Sequence, residues 1–520
     1  MNGAEGLIKT LSAHGVDVCF ANPGTSEMQL VAAIDETPGM RAILGLFEGV
    51  VTGAADGYGR MTGKPAVTLL HLGPGLGNGL ANLHNAKRAG TPVINVVGDH
   101  ATHHLALDAP LTSDIAGVAK PMSDWVRTSH SPEDLAVAGA EAFATVTQTL
   151  SKVATVIAPA DHAWSEGGQE ISPAPLSPNP QDTVDVSEVV DQLRSAKQAA
   201  LFLGSTALTD EALIIAGRIA EATGARLITE TFCARLQRGA GRVATERLPY
   251  FGEVAAEFLA SVDTLICIGA PPPVSFFAYP DKPGELSPAG AKVIRLVEPG
   301  VSAMPALTSL ASLLKTNDQP MILQERQYHD LADGPLDAKS IGFSLTNRLP
   351  ENAIVSDEAA TAGLAMFNIT AGAAPHDWLM LTGGSIGQGL PVAVGAAVAC
   401  PDRKVVALQA DGGAMYTLQS LWTMARENLD VTVVLVNNSS YAILNIELAR
   451  VGVSDPGPKA LSLLDLSQPN LDWCALSEGM GVPAEHATTI ETFDQALERA
   501  LACKGPRLID AVIPAAHLKP

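Results

Sequence analysis

Residues 404–444 constrain the fold more than any other part of the chain. Residues 404–409 (KVVALQ) form an apolar, β-branched run that reads as a buried strand. Asp411, Gly412 and Gly413 follow at its carboxyl end. Residues 416–428 place apolar side chains on one face and predict a helix. Residues 431–436 predict a second buried strand, which ends in Asn437-Asn438. A strand–helix–strand unit of this kind belongs to a parallel sheet, whose ligands sit at the carboxyl ends of the strands. Both polar clusters fall there.

The residue types suit a magnesium diphosphate. Mg²⁺ takes hard oxygen ligands: carboxylate, amide, backbone carbonyl and phosphate. Asp411 and the Asn438 side chain can supply the first two and the Ser440 carbonyl the third. Gly412 and Gly413 let backbone N–H groups approach phosphate at a helix start. A lone D-G-G is ordinarily a turn, and Asn an ordinary cap; it is their pairing across one strand–helix–strand unit that points to a ligand.

A chain of 520 residues is too long for one core, so two to four domains are expected. The net charge of -22 argues against nucleic acid and anionic membrane as partners. The six cysteines are scattered without a C-x-x-C pair, which suits buried free thiols in a reducing compartment. The start, MNGAEGLIKTL, has no signal-peptide pattern, and no apolar run reaches the ~20 residues of a membrane span. A cytoplasmic location is expected.

Strands are predicted at 16–21, 41–46, 66–70, 92–97 and 154–157. Helices are predicted at 3–14, 49–62, 78–88 and 132–149. Polar residues again gather at strand carboxyl ends: Asn22-Pro23-Gly24-Thr25-Ser26-Glu27, Phe47-Glu48, His71 to Gly75, and Gly98-Asp99-His100. This pattern predicts a doubly wound parallel sheet over 1–170. A proline-rich linker follows at 171–183. A second α/β pattern spans 184–316, with strands at 199–203, 226–229, 264–268 and 293–296. It is Rossmann-like but lacks G-x-G-x-x-G, so a dinucleotide is not supported. After a polar linker at 317–335, the third domain, 336–520, holds the diphosphate unit. The expected class is therefore α/β, with three mainly parallel sheets flanked by helices.

Four motifs together resemble the thiamine-diphosphate-dependent 2-keto acid decarboxylases and acetolactate synthases: NPGTSE at 22–27, Glu48 with ADGYGR at 55–60, GGSIGQGLP at 383–391, and the Asp411/Asn438 pair. The resemblance covers essentially the whole chain, and benzoylformate decarboxylase is similar in motif style. It departs from the family diphosphate signature by carrying Ala410 where the first glycine stands. The resemblance implies the thiamine-diphosphate-binding fold twice, a pyrimidine and a diphosphate domain, around the Rossmann-like one.

It also implies roles. Glu48 would hold the aminopyrimidine so that its imino form takes the thiazolium proton. Ile386 would bend the cofactor, Gly384 would bind the pyrimidine amino group through its carbonyl, and Tyr441 would adjoin the diphosphate. Asn22, Gly24, Thr25 and His71 match substrate-facing positions, with His71 and Thr25 as catalytic candidates beside Glu48. Phe277, Leu111 and Leu444 are expected against the substrate, and His84, His100, His103 and His104 are further candidates. Three departures keep the subfamily open. Leu444 stands near the position where pyruvate decarboxylases carry Glu. Phe277 stands near the place of a second active-site His. Asp108-Ala109 leads to Pro110-Leu111 rather than Phe-Gln. No FAD-binding segment is evident, so FAD is not expected.

The implied function is thiamine-diphosphate- and Mg²⁺-dependent decarboxylation of a 2-keto acid through an enamine, releasing an aldehyde. Carboligation onto an aldehyde or ketone acceptor, 2-hydroxyketone or acyl-CoA cleavage, and a non-catalytic cofactor-binding role are the alternatives. The family pattern implies a homodimer or homotetramer.

Overall fold

The computed structural model describes residues 1–148, 150, 152–173, 185–319 and 322–515. From 174 on, the linker expected at 171–183 lies outside the described residues. Three sheets form. The first contains β1 (Val18–Asn22), β2 (Arg41–Leu44), β3 (Ala66–Leu70), β4 (Val93–Asp99), β5 (Trp125–Thr128) and β6 (Val153–Pro159). Its order is β2-β1-β3-β4-β6-β5, all parallel. The central stretch supplies β7 (Ala199–Leu203), β8 (Arg226–Thr229), β9 (Leu236–Arg238), β10 (Glu246–Arg247), β11 (Thr264–Ile268) and β12 (Lys292–Val297). All but β9 form a parallel sheet of order β10-β8-β7-β11-β12.

The third sheet uses β13 (Ala353–Glu358), β14 (His376–Met380), β15 (Val405–Ala410), β16 (Val431–Asn437), β17 (Ala484–Ala487) and β18 (Arg507–Val512). Its order is β17-β18-β16-β15-β13-β14-β9. Strand β9, from the central stretch, pairs antiparallel with β14 at its edge. The inner strands β3, β4, β6 and β16 are buried along their whole length, as expected of parallel strands covered by helices on both faces.

Each sheet has an inner point where strand order reverses, and ligands of parallel sheets belong in the crevice at the carboxyl ends there. In the first sheet it lies between β1 and β3, where Asn22 pairs with Leu70. In the third it lies between β13 and β15, where Glu358 pairs with Gln409. In the central sheet it lies between β7 and β11, where the chain segments approach closely. A Cβ on Gly269 would lie 2.3 Å from the Gly204 carbonyl oxygen, and one on Gly204 would lie 2.4 Å from the half-buried Glu230 carboxylate.

Two helix expectations change. The helix expected at 78–88 begins at Leu72 and runs to Ala89. Its glycines serve close packing rather than a loop: a Cβ on Gly75 would lie 3.0 Å from Glu48 Oε1, and one on Gly79 would lie 2.9 Å from the Thr52 methyl. Pro74 sits in the first turn, where a missing N–H costs nothing. The helix expected at 416–428 is instead a short turn, Asp411–Ala414, followed by Ser420–Arg426. Between them the Thr417 hydroxyl is tethered to the Gly387 carbonyl at 3.0 Å.

The first and third sheets are joined by the Glu48–Thr62 helix packing along the Gly389–Ala399 helix. Glycines bring the backbones together: a Cβ on Gly57 would lie 2.1 Å from the Val392 carbonyl oxygen, and one on Gly395 only 1.9 Å from that of Ala54. Below this contact, Arg60 makes a buried two-pronged pair with Asp56, and donates to the Met380 and Ala234 carbonyls and to the Thr382 hydroxyl. The ADGYGR run is thus a clamp between domains. Among the described residues no helix is long and apolar enough to cross a membrane.

Candidate functional site

The first crevice gathers carboxylate, imidazole and hydroxyl. Strand β1 delivers Asn22, and the Thr25–Glu27 turn follows directly. Glu27 is fully buried. It accepts from the Gly24 N–H at 2.7 Å, the Ser26 hydroxyl at 2.8 Å and His71 Nδ1 at 2.7 Å. A carboxylate on Nδ1 fixes the ring with its proton there and leaves Nε2 to exchange a proton elsewhere. Gly24 is required because its Cβ would fall 2.2 Å from His71 Nδ1. Leu72, the next residue, holds φ 47, a left-handed conformation unusual for a bulky side chain and of the kind stored at functional sites.

Glu48 opens its helix with a carboxyl group that is only 7% exposed, accepting from the Asn78 amide at 2.9 Å. The exposed Thr25 makes no side-chain hydrogen bond among the described residues; Ser26 Oγ, at 3.3 Å, is the hydroxyl beside His71. Sequence reasoning quoted Glu27 within a motif without giving it a role. Its place three residues after Gly24 at a helical turn was the available signal.

The third crevice gathers oxygens. Asp411 stands at the end of β15, 3% exposed. One carboxylate oxygen accepts from the Gly412 N–H at 2.8 Å, and Oδ2 is buried without a partner. Burial pushes this carboxyl up to about 6, partly offset by the Gly412, Ser439 and Asn438 N–H groups. Beside it, Asn438 Oδ1 accepts from the Ser440 N–H at 3.0 Å, around Ser439 at φ 50. An unpartnered buried carboxylate oxygen next to an amide and a carbonyl-bearing turn fits one hard cation, with the remaining ligands left to phosphate. Gly412 and Gly413 have a packing reason of their own. A Cβ on Gly412 would meet the Tyr441 ring at 2.3 Å, and one on Gly413 would meet Glu358 Oε1 at 2.3 Å.

Glu358, which sequence reasoning did not single out, is the other acid of this crevice. It is 3% exposed, accepts from the Gly387 and Gly389 N–H groups at 2.6 and 2.5 Å, and burial pushes it up to about 7. These N–H groups belong to the 383–389 segment that carries Gly384 (φ 74) and the half-buried Ile386.

Of the expected substrate residues, Phe277, Leu444 and Leu111 lie on three further elements. Phe277, 54% exposed, belongs to an aromatic group of the central stretch with Phe276, Phe232 and Tyr250. Phe276 approaches Gly384, whose Cβ would fall 2.9 Å from its ring. Phe277 also lines a small cavity with Tyr279, Glu447 and Arg450. Leu444, 44% exposed, lies one turn before Glu447 on the Ala442–Arg450 helix. Leu111, 38% exposed, lies in the loop after β4. His84 Nε2 lies 3.1 Å from the Gly383 carbonyl, tying two domains of the chain. The His100 and His104 rings lie tilted to each other with centroids 5.5 Å apart, and His103 lies 3.9 Å from Asp161.

Known proteins carry the same organisation. Residues 1–122 match the family "Thiamine pyrophosphate enzyme, N-terminal TPP binding domain", and residues 361–511 match the corresponding "C-terminal TPP binding domain". The Mycobacterium tuberculosis protein called "Putative acetolactate synthase large subunit IlvX" is 54% identical over 518 residues, 99% of each chain. Benzoylformate decarboxylase of Pseudomonas aeruginosa is 27% identical, with 98% of each covered. The solved thiamine diphosphate-dependent 4-hydroxybenzoylformate decarboxylase of Rhodococcus jostii superposes with a TM-score of 0.85 at 24% identity, covering 99% of this chain and 100% of that one. That likeness establishes the fold.

Proposed function

We propose that this chain, which belongs to the thiamine pyrophosphate enzyme family, uses its cofactor with Mg²⁺ to decarboxylate a 2-keto acid and release an aldehyde. Thiamine diphosphate, when bound, supplies the carbanion and the electron sink. In this reading the protein supplies the rest. Asp411, Asn438 and Ser440 hold Mg²⁺; Gly412, Gly413 and Tyr441 cradle the diphosphate; Gly384 and Ile386 seat the pyrimidine end, and Glu48 orients it. Asn22, Gly24 and Thr25 line the substrate side, and His71 moves a proton at the substrate oxygen. The division at 1–170, 184–316 and 336–520 assigns pyrimidine, central and diphosphate parts.

The observation that carries the reading is the Glu27–His71 pair. A fully buried carboxylate holds His71 Nδ1 at 2.7 Å, which suits an imidazole set to exchange protons through Nε2. A second reading, carboligation, is favoured by Phe276 beside Gly384: the central stretch offers an aromatic ring there and no imidazole to protonate the donor carbon. It also agrees with the acetolactate synthase name of the 54%-identical relative.

The working unit in this proposal is at least a homodimer, with the first-sheet crevice of one copy facing the third-sheet crevice of another. Exposed apolar residues beside each half support it: Leu46 near Glu48, and Met415 and Tyr416 after Gly413. The test is product analysis with thiamine diphosphate, Mg²⁺ and a panel of aliphatic and aromatic 2-keto acids, with and without added aldehyde. Free aldehyde plus CO₂ is expected. A hydroxyketone as main product assigns carboligation instead, and no turnover with cofactor bound refutes both.

A further inference from the structure

Glu358 is the last residue of β13, directly across from Gln409 at the end of β15. Its carboxylate is buried, and among the described residues no Lys, Arg or His forms an ion pair with it. A buried carboxylate without a cation is costly, and a leucine there would be cheaper. Its hydrogen bonds show what is gained. Both oxygens are taken by one short segment, through the Gly387 and Gly389 N–H groups, with further support from the Gln388 N–H and the Gln409 side chain.

The same Oε1 presses on the next segment of the site, lying 2.3 Å from where a Gly413 Cβ would be. One carboxylate therefore touches two separate turns. The 383–389 turn has Gly384 at φ 74 and Gly387 at φ 92, a backbone with no regular hydrogen-bond ladder of its own. The 411–413 turn begins with Asp411. Ala360, two residues after Glu358, holds φ 48, so the chain leaves the site in a conformation that alanine rarely adopts.

We propose that Glu358 is a positioning residue that locks the 383–389 turn to the 411–413 turn, so that the two ends of one thiamine diphosphate molecule meet prealigned protein. The inference rests on the assignment of those turns to the pyrimidine and diphosphate ends. Glu358 does not touch the reacting atoms. It acts through the N–H groups it fixes, and a prealigned site binds a two-ended ligand more tightly than its parts because the ordering is already done. The two turns would still exist without it, but their spacing would no longer be held.

The experiment compares wild type, Glu358→Gln and Gln409→Met as full-length protein with Mg²⁺ present. The dissociation constant of thiamine diphosphate is read by tryptophan fluorescence, and that of inorganic diphosphate by competition. In Glu358→Gln one N–H must face an amide NH₂, so the lock loosens. The expected result is a thiamine diphosphate constant raised about tenfold or more, with the inorganic diphosphate constant changed less than about threefold. Gln409→Met, which removes one donor to the carboxylate, shifts the thiamine diphosphate constant in the same direction by about threefold. Parallel rises for both ligands would make Glu358 merely structural and overturn the proposal, as would unchanged constants in both variants. If Glu358→Gln does not fold, an unchanged constant in Gln409→Met overturns it alone. Wild type that fails to bind thiamine diphosphate overturns the functional reading itself, a separate outcome.

Discussion

Replacing Gly395 with alanine tests how the two crevices are held. A Cβ at this position would lie 1.9 Å from the Ala54 carbonyl oxygen and 2.5 Å from the Tyr58 backbone nitrogen. Neither is a flexible side-chain end, so the helices themselves must part by roughly 1.5 Å to regain ordinary contact. Overpacking of this kind costs about 1–3 kcal/mol, here at the upper end because backbone meets backbone. Alanine recovers at most about 1 kcal/mol of helix propensity over glycine. A net loss of about 2 kcal/mol is expected, lowering the thermal midpoint by roughly 4–8 °C. The Glu48–Thr62 helix carries Glu48 at its start, and the Gly389–Ala399 helix continues from the Ile386 turn. Thiamine diphosphate affinity should therefore fall with the midpoint. Circular dichroism melts and a cofactor titration read both. Gly479→Ala, at an exposed helix end with open space around it, is the control and should leave both unchanged. A Gly395→Ala protein with wild-type midpoint and affinity would refute the close-approach argument.

Three further outcomes are expected. Glu27→Gln should bind thiamine diphosphate normally but lose kcat by about 100-fold, because the amide no longer fixes a proton on His71 Nδ1; steady-state kinetics beside a binding titration separate the two. Asp411→Asn should abolish Mg²⁺-dependent cofactor binding and remove this carboxyl's pH dependence from apoprotein stability. Burial raises the Asp411 pKa to about 6, so the folded state holds the proton more tightly than the unfolded chain. Its contribution to stability thus falls as pH rises from about 4 through about 6, by up to roughly 3 kcal/mol, and denaturant melts should show the variant gaining stability relative to wild type across that range. Glu48→Gln and Asp411→Ala chains, each inactive, should recover activity when mixed and reassembled; confirmed mixed dimers without activity would contradict a site shared between copies.

The strands were readable because buried parallel strands are continuous apolar runs: 66–70, 199–203, 226–229 and 264–268 begin and end as expected. The Leu72–Ala89 helix was harder, since LGPGLGNG has the composition of a loop, and only contact with Glu48 and Thr52 makes glycine useful there. Asp411 and Asn438 stood out because two polar clusters flank one strand–helix–strand unit. Glu27 and Glu358 did not, because their meaning lies in partners 44 and 29 residues away. Strand β9 was invisible for the same reason: three residues, LQR, carry no periodicity, and their partner strand lies far along the chain.

That strand also sets a schedule for synthesis. Leu236 pairs with Trp378, so β9 leaves the ribosome well before the strand it covers. At about 5–20 residues per second, the wait is roughly 7–30 s. During that time its hydrogen-bonding edge has no mate, and afterwards β14 depends on a segment already committed to another domain. The central portion is therefore not a detachable module. Excising it, or exchanging it for the equivalent piece of a relative, would leave β14 as a bare edge open to pairing with other chains, and aggregation rather than simple loss of activity is the expected phenotype of such chimaeras.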